Sequence, residues 1–216
     1  MNFQEFEKEY LSIRAKEGRL YEDDVVKKLP FIDDNEWRIR ARSAKKLLDQ
    51  LRKENCRSFT EIGCGNGWLT NYLQRGLNAN AVGIDINKTE LDQATRLSGG
   101  AKFLYGDILS DDLKKYRSGT IIFAASIQYF PDLKKIIDSL SGTIHIIDSP
   151  FYENAQEARK RSGIYFESKN SGMKTFYFHR EFKELEEYEH EFLYRPSRVK
   201  RIFGNSPFPW IRIRKG

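Results

Sequence analysis

Apolar residues along the chain recur with two different periods. From Ser58 to Pro150, short runs rich in β-branched and aromatic residues (SFTEI, AVGID, KFLYG, TIIFAA, TIHIID) are each followed by Gly, Asp or Ser and then by a helix-like stretch. Such alternation predicts βαβ units, a parallel sheet and right-handed crossovers, which is an α/β fold. Upstream the period is helical. Phe3, Phe6, Tyr10, Leu11 and Ile13 predict an amphipathic helix over 3–17. Asp33 and Glu36 resemble a capping box, after which Trp37, Ala41, Ala44, Leu48 and Leu51 fall on one face of a helix reaching about Asn55. Beyond Pro150, NAQEARKRSGIYFES and REFKELEEYE read as helices, whereas HEFLYR and WIRIRK alternate as half-buried strands do. The last two runs add strands at the end of the sheet, with an antiparallel member.

Composition narrows the class. With 216 residues the chain is nearer one domain than two, and 39% apolar and 13% aromatic residues can build a core. The mean hydropathy of −0.65, the absence of any apolar run near the length of a membrane span, and the start MNFQEFEKEY all point to a soluble, cytoplasmic protein without a leader. Cys56 and Cys64 suit neither a disulfide framework nor a zinc site, so a reducing compartment and no metal are expected. The net charge of +6 is uneven: residues 34–60 carry 8 basic against 4 acidic side chains, and residues 151–216 carry 14 against 9. Basic flanks around a near-neutral centre attract phosphates or carboxylates, on nucleic acid or on a small anionic substrate.

The first strand of the alternating block ends in Glu61-Ile62-Gly63-Cys64-Gly65-Asn66-Gly67 and runs into WLTNYLQ, a helix start. Glycines at alternate positions allow a tight turn and close approach of the backbone to a ligand. A dinucleotide fingerprint needs a glycine where Trp68 stands, which argues against NAD and for a ligand without a pyrophosphate. The second strand ends in Asp85, 24 positions after Glu61, where a carboxylate can accept both hydroxyls of a ribose. The third ends in Gly106-Asp107-Ile108, a carboxylate for an amino group beside an apolar side chain for a ring. The fourth ends in Ala124-Ala125-Ser126, small residues that leave room beside the first loop. Three acids and three glycines on one crevice suit a ligand with a positive head and no phosphate.

EIGCGNG, GIDIN and YGDIL at these spacings resemble the class I S-adenosylmethionine-dependent methyltransferases over residues 58–150. The resemblance implies a Rossmann-like three-layer sandwich whose seven-stranded, mostly parallel sheet has an antiparallel last strand, preceded by N-terminal helices. It implies one methyltransferase domain over 1–216: a helical cap (1–57), a cofactor-binding core (58–150), and a substrate-side insertion with the last two strands (151–216). It assigns S-adenosylmethionine to Glu61, Gly63, Cys64, Gly65 and Gly67 of the glycine loop, with Gly63 and Gly65 beside the methionine moiety. Asp85 and Ile86 take the ribose, and Gly106, Asp107 and Ile108 take adenine. A backbone carbonyl of Ala125 or Ser126 receives the methionine amino group.

Methyl transfer from a sulfonium is an in-line displacement, so positioning and exclusion of water matter more than any fixed catalytic group. Tyr129 lines the acceptor pocket, forms an edge of the cofactor site or packs on the next helix, and His179, after the aromatic run TFYF, is the candidate base. His145, inside a strand, reads as core. The segment 151–180 offers Tyr152, Tyr165 and Arg161 among other rings and arginines, a wall for a ring or acyl chain bearing an anion. Tyr10, Arg14 and Tyr21 are candidate lid residues from the N-terminal helices. The absence of an Asn/Asp-Pro-Pro-aromatic tetrapeptide after the fourth strand disfavours amide or adenine nitrogen as acceptor. The preferred expectation is a small anionic or aromatic metabolite as substrate. An RNA or protein substrate is second, suggested by Arg195, Arg198, Lys200, Arg201, Arg212, Arg214 and Lys215, which meet no acid within 192–216. A non-catalytic cofactor-binding partner subunit is third, and the oligomeric state stays open.

Overall fold

The computed structural model describes residues 2–197 and 205–216. Seven strands form one sheet: β1 (Ser58–Ile62), β2 (Asn80–Asp85), β3 (Lys102–Tyr105), β4 (Ser118–Ala124), β5 (Ser141–Ile147), β8 (His190–Tyr194) and β9 (Trp210–Lys215). Two short strands, β6 (Phe151–Tyr152) and β7 (Arg180–Glu181), pair separately. The order in the large sheet is β3-β2-β1-β4-β5-β9-β8. β1 to β5 are parallel, and β9 enters antiparallel between β5 and β8.

Burial on both faces explains why β4 and β5 read as nearly continuous apolar runs rather than as clean alternation. Ile121 and Phe123 of β4 point into one core with Ile144 and Ile146 of β5, whereas Ile122 and Ile147 point into the other. The second core is closed by α3 (Asn35–Lys53) and α4 (Trp68–Leu77), whose Leu47, Leu51, Leu69 and Leu73 are fully buried. Each such leucine contributes about 1.5–3 kcal/mol. α5 (Lys88–Arg96) and α6 (Leu133–Asp138) complete the crossovers. α1 (Phe3–Lys16), α2 (Asp23–Val26) and α7 (Gln156–Ser168) lie outside this repeat. α1 packs by Phe6 and Ile13 against Phe166, Met173 and Phe176. Its edges are tied down as well: Glu7 Oε1 accepts the amide and hydroxyl of Thr89, and Glu9 Oε2 accepts the amide of Gly172 at 2.6 Å.

Two local expectations are corrected. Asp34, not Asp33, caps α3, its Oδ1 accepting Trp37 N at 3.1 Å, while Asp33 and Glu36 are engaged by Arg38 and Arg40. REFKELEEYE is not a helix but β7 followed by a single 3₁₀ turn, Phe182–Leu185. One turn suffices to seat Phe182 and Leu185 on the sheet core, and the crowded glutamates that follow gain nothing from continuing it.

A buried polar knot joins α3 to the sheet. His145, fully buried in β5, accepts Trp210 Nε1 at Nδ1 (3.2 Å), so its Nε2 carries the hydrogen and faces Glu54 Oε2 at 3.2 Å. Glu54 also receives Arg212 and the Gln50 amide. Burial opposes its charge, but the bonds to His145, Gln50 and Arg212 hold its carboxyl down at about 2.

Candidate active site

The carboxyl ends of β1, β2, β3 and β4 open onto one cavity of about 860 Å³, roofed by α1 and bordered by α3 and α7. Each wall follows from local chain chemistry. Gly63 (φ 75°) and Gly65 (φ 52°) take left-handed conformations after β1. A Cβ on Gly63 would sit 2.5 Å from the Ser126 Cβ, and one on Gly65 2.8 Å from Glu90 Oε2. The loop is thus held against β4 and α5 at a separation only glycine permits. Ser126 reinforces this by donating from Oγ to the Ile62 carbonyl at 2.6 Å.

The acids expected at strand ends are gathered here. Asp85 accepts Gly65 N at 2.7 Å and Asn87 N at 2.8 Å, one on each carboxylate oxygen. Burial raises its pKa, and those amides partly offset the rise. Glu61, 2% exposed, accepts the Thr70 hydroxyl, and burial with the nearby Asp85 charge pushes it up to about 8. Asp107 lines the same cavity and accepts Leu109 N at 2.9 Å. Cys64 is buried beneath the loop, its thiol pushed well up by burial.

Ile86, Gly106, Ile108, Ala125, Ser126, Tyr129 and Tyr165 also border the cavity, as do the candidate lid residues Tyr10, Arg14 and Tyr21. Gly67 does not. It starts α4 at φ 72°, and a Cβ there would strike the Phe103 ring at 2.5 Å, so its role is packing. Tyr152, Arg161 and His179 also stand outside the cavity wall. His179 sits behind it, its ring 5.0 Å from that of Tyr177 and its Nε2 2.9 Å from Ser162 Oγ. Burial and then the Arg159 charge lower its pKa. The Ala125 carbonyl accepts Gln128 Nε2 at 2.6 Å.

Several residues on the wall were not singled out in the sequence. Glu90 carries no motif, yet burial and then the Asp85 charge push it up to about 7, with Arg14 opposing. Arg40, on the basic helix, reaches the cavity, pairs with Glu36 and lies over the Trp37 ring. Asn87 caps α5 through Oδ1 and lines the cavity, with its Nδ2 buried and making no hydrogen bond among the described residues. Its position two residues after Asp85 was the available signal.

Residues 59–144 match the family described as "methyltransferase domain". Malonyl-[acyl-carrier protein] O-methyltransferase of Calditerrivibrio nitroreducens is 30% identical over 115 residues, 51% of this chain and 44% of that protein. A protein of Invertebrate iridescent virus 6 is 33% identical over 76 residues, 34% of this chain and 29% of the relative. The chain therefore spans less than half the length of either curated relative. In fold it is similar to magnesium protoporphyrin IX methyltransferase of Synechocystis PCC 6803, solved with S-adenosylhomocysteine (12% identity, TM-score 0.57, covering 86% of this chain and 88% of that one). It is likewise similar to geranyl diphosphate C-methyltransferase of Streptomyces coelicolor A3(2) (12% identity, TM-score 0.54, covering 82% and 80%). Over residues 59–144 the chain is thus similar to methyltransferase domains, and its fold is that of the solved methyltransferases.

The seven-stranded, mostly parallel sheet and its antiparallel β9 agree with the expectation from the resemblance. No described helix is long and apolar enough to cross a membrane. Among the described residues of the basic tail, several cations meet acids from elsewhere in the chain. Arg212 pairs with Glu54 and Glu191, Arg214 with Glu191 at 3.1 Å, and Lys215 with Asp138 at 3.4 Å. The Arg195 guanidinium lies over the Phe192 ring at 3.6 Å, and Arg198, Lys200 and Arg201 fall outside the described residues.

Proposed function

We propose that this domain transfers a methyl group from S-adenosylmethionine to a small acceptor that is aromatic or anionic. The observation that carries the reading is the convergence of the Gly63–Gly65 turn, Asp85 and Asp107 on one cavity, each at the end of a successive strand. The fit to the cofactor is chemical. Asp85 has lone pairs left beyond its two amide bonds for ribose hydroxyls, and the unpaired Asn87 Nδ2 beside it is a donor for the same nucleoside. Asp107 accepts from an amino group, with Ile108 against the ring. Gly63 and Gly65 leave the backbone bare where a Cβ would intrude. The carboxyl groups of Asp85 and Glu90 beside the glycine turn disfavour a phosphate there.

When bound, the cofactor supplies an electrophilic methyl carbon on a sulfonium. Asp85, Asn87, Asp107 and the Gly63–Gly65 turn would hold that group, leaving the cavity wall to place an acceptor lone pair against its methyl carbon. The chain's part is alignment and exclusion of water. Phe6, Tyr10, Tyr129, Phe166 and Tyr177 line the cavity as one aromatic cluster, Phe6 and Tyr10 being supplied by α1. Aromatic walls with few polar groups favour a small ring over a polymer. The pairing of Arg212, Arg214 and Lys215 with acids supports a small acceptor over RNA. His179, behind Tyr177, is proposed to orient that phenol rather than touch the acceptor.

Calorimetric titration with S-adenosylmethionine, S-adenosylhomocysteine and NAD tests the reading. Saturable binding of the first two and none of NAD supports it, and absence of binding by the first two overturns it. A panel of aromatic and aliphatic acids in the presence of the cofactor then separates turnover from a cofactor-binding subunit that transfers nothing.

A further inference from the structure

Two further buried polar atoms on the cavity wall make no hydrogen bond among the described residues: Nε of Arg14 and the side-chain carbonyl Oε1 of Gln128. A native fold rarely buries such groups without a partner, because each costs about 1–3 kcal/mol when left unmet. Gln128 is 5% exposed, and its amide nitrogen is committed to the Ala125 carbonyl, so its carbonyl is fixed in place as an acceptor. The Arg14 guanidinium lies 5.7 Å from the centre of the Tyr10 ring. Among the described residues its one ion pair, to Glu17 at 3.7 Å, uses Nη1, and Glu17 is shared with Arg19 and the Tyr165 hydroxyl, while the Glu90 carboxyl acts on the guanidinium from the glycine-loop side.

Both groups lie beside the aromatic cluster, and Arg14 also faces the Glu90 carboxyl. The Tyr129 phenol feels the Arg14 charge and the Gln128 amide together, and its ring meets those of Phe6, Tyr10 and Tyr177 edge-on at 5.6–5.8 Å. A donor of positive charge and a neutral acceptor, set beside the same phenol in an aromatic box, describe their ligand by complement.

We propose that Arg14 and Gln128 select the acceptor as a small aromatic acid that also carries a hydroxyl or amino group: the guanidinium receives its carboxylate, and the Gln128 carbonyl receives the O–H or N–H. A charged bond to arginine is the stronger of the two, and the carbonyl adds discrimination because a ring lacking the donor leaves it unmet. The assignment rests on the methyl-transfer reading for its biological sense but not for its measurement.

The test is calorimetric titration of the protein saturated with S-adenosylhomocysteine, using salicylate and anthranilate as probes and benzoate, phenol and aniline as controls. In the unaltered protein salicylate or anthranilate binds at least tenfold more tightly than phenol or aniline, and several-fold more tightly than benzoate. Arg14→Met abolishes the preference for the carboxylate, Arg14→Lys restores part of it, and Gln128→Leu abolishes only the preference over benzoate. S-adenosylhomocysteine affinity in the variants stays within about threefold, as expected of residues facing the acceptor. Equal binding of phenol and salicylate to the unaltered protein overturns the proposal. So does a tenfold loss of S-adenosylhomocysteine affinity in Arg14→Met or Gln128→Leu, which would give these groups to the methionine end of the cofactor. Failure of S-adenosylhomocysteine to bind the unaltered protein is a different result, because it removes the methyl-transfer reading itself.

Discussion

Glu61 stores a pH dependence that a single isosteric change removes. Its carboxyl is 2% exposed, bonded to Thr70, and pushed up to about 8 by burial and by Asp85, against 4.5 for an ordinary glutamate. The folded state therefore keeps the proton over a range in which the unfolded chain has released it. The stability linked to this proton is fully present below about pH 4.5 and is lost as pH rises toward 8. At about 1.4 kcal/mol for each pH step between those limits, the loss approaches about 5 kcal/mol. Glu61→Gln keeps a neutral side chain of the same shape, with a carbonyl to accept the Thr70 hydroxyl, at every pH. Urea denaturation of the ligand-free protein at several values between pH 5 and 8 measures the effect. The two proteins should be of similar stability at pH 5, and the glutamine variant should be more stable by several kcal/mol at pH 8. A weaker residual slope in the variant is expected from Glu90, pushed up to about 7. Parallel curves for the two proteins would show that Glu61 ionises as in water and that the reasoning from burial fails.

Other outcomes follow from the same geometry. Asp85→Ala should weaken S-adenosylhomocysteine binding at least tenfold in calorimetry, and an unchanged affinity would remove Asp85 from the ribose. Gly67→Ala combines a left-handed backbone with a Cβ 2.5 Å from Phe103, and should destabilise the fold by about 2–5 kcal/mol in thermal unfolding. Glu54→Ala strips His145 and Arg212 of a shared partner and should cost about 2–3 kcal/mol, read from denaturant midpoints at pH 7. Because the Glu54 carboxyl is held down at about 2, the stability it confers is present above about pH 4.5 and lost as pH falls through 2, so the variant should show less acid sensitivity than the parent.

The sheet and its acidic strand ends were legible because they are local. Each of Glu61, Asp85 and Asp107 follows a run of β-branched or aromatic residues and sits beside a glycine turn or helix start, so period and punctuation agree at one place. The roof was partly legible, since the stripe of Phe6, Tyr10 and Ile13 marks a helix needing a partner. What was not legible depends on pairs distant in the chain. Arg212 looks unpaired in its own segment, yet its partner Glu54 lies 158 residues away. Gln128 and Arg14 have no motif, and only the folded wall shows that Gln128 Oε1 and Arg14 Nε make no hydrogen bond among the described residues. REFKELEEYE misleads for the converse reason. Its glutamates and leucine favour a helix in isolation, but seating Phe182 and Leu185 on the sheet takes one turn and no more.

The position of β9 has a consequence for the chain as it is made. β1 to β5 can assemble as soon as Ile147 has emerged, but the strand that covers the outer edge of β5 begins only at Trp210. Roughly 60 residues of synthesis separate the two, about 3–12 s at ribosomal rates. During that interval the nascent sheet presents a row of unsatisfied amides and carbonyls along an apolar strand, an invitation to pair with any other extended chain. β8 cannot relieve it, because β8 joins the sheet only through β9. Translation speed over the segment that follows β5 is therefore a lever on soluble yield, independent of the stability of the finished protein.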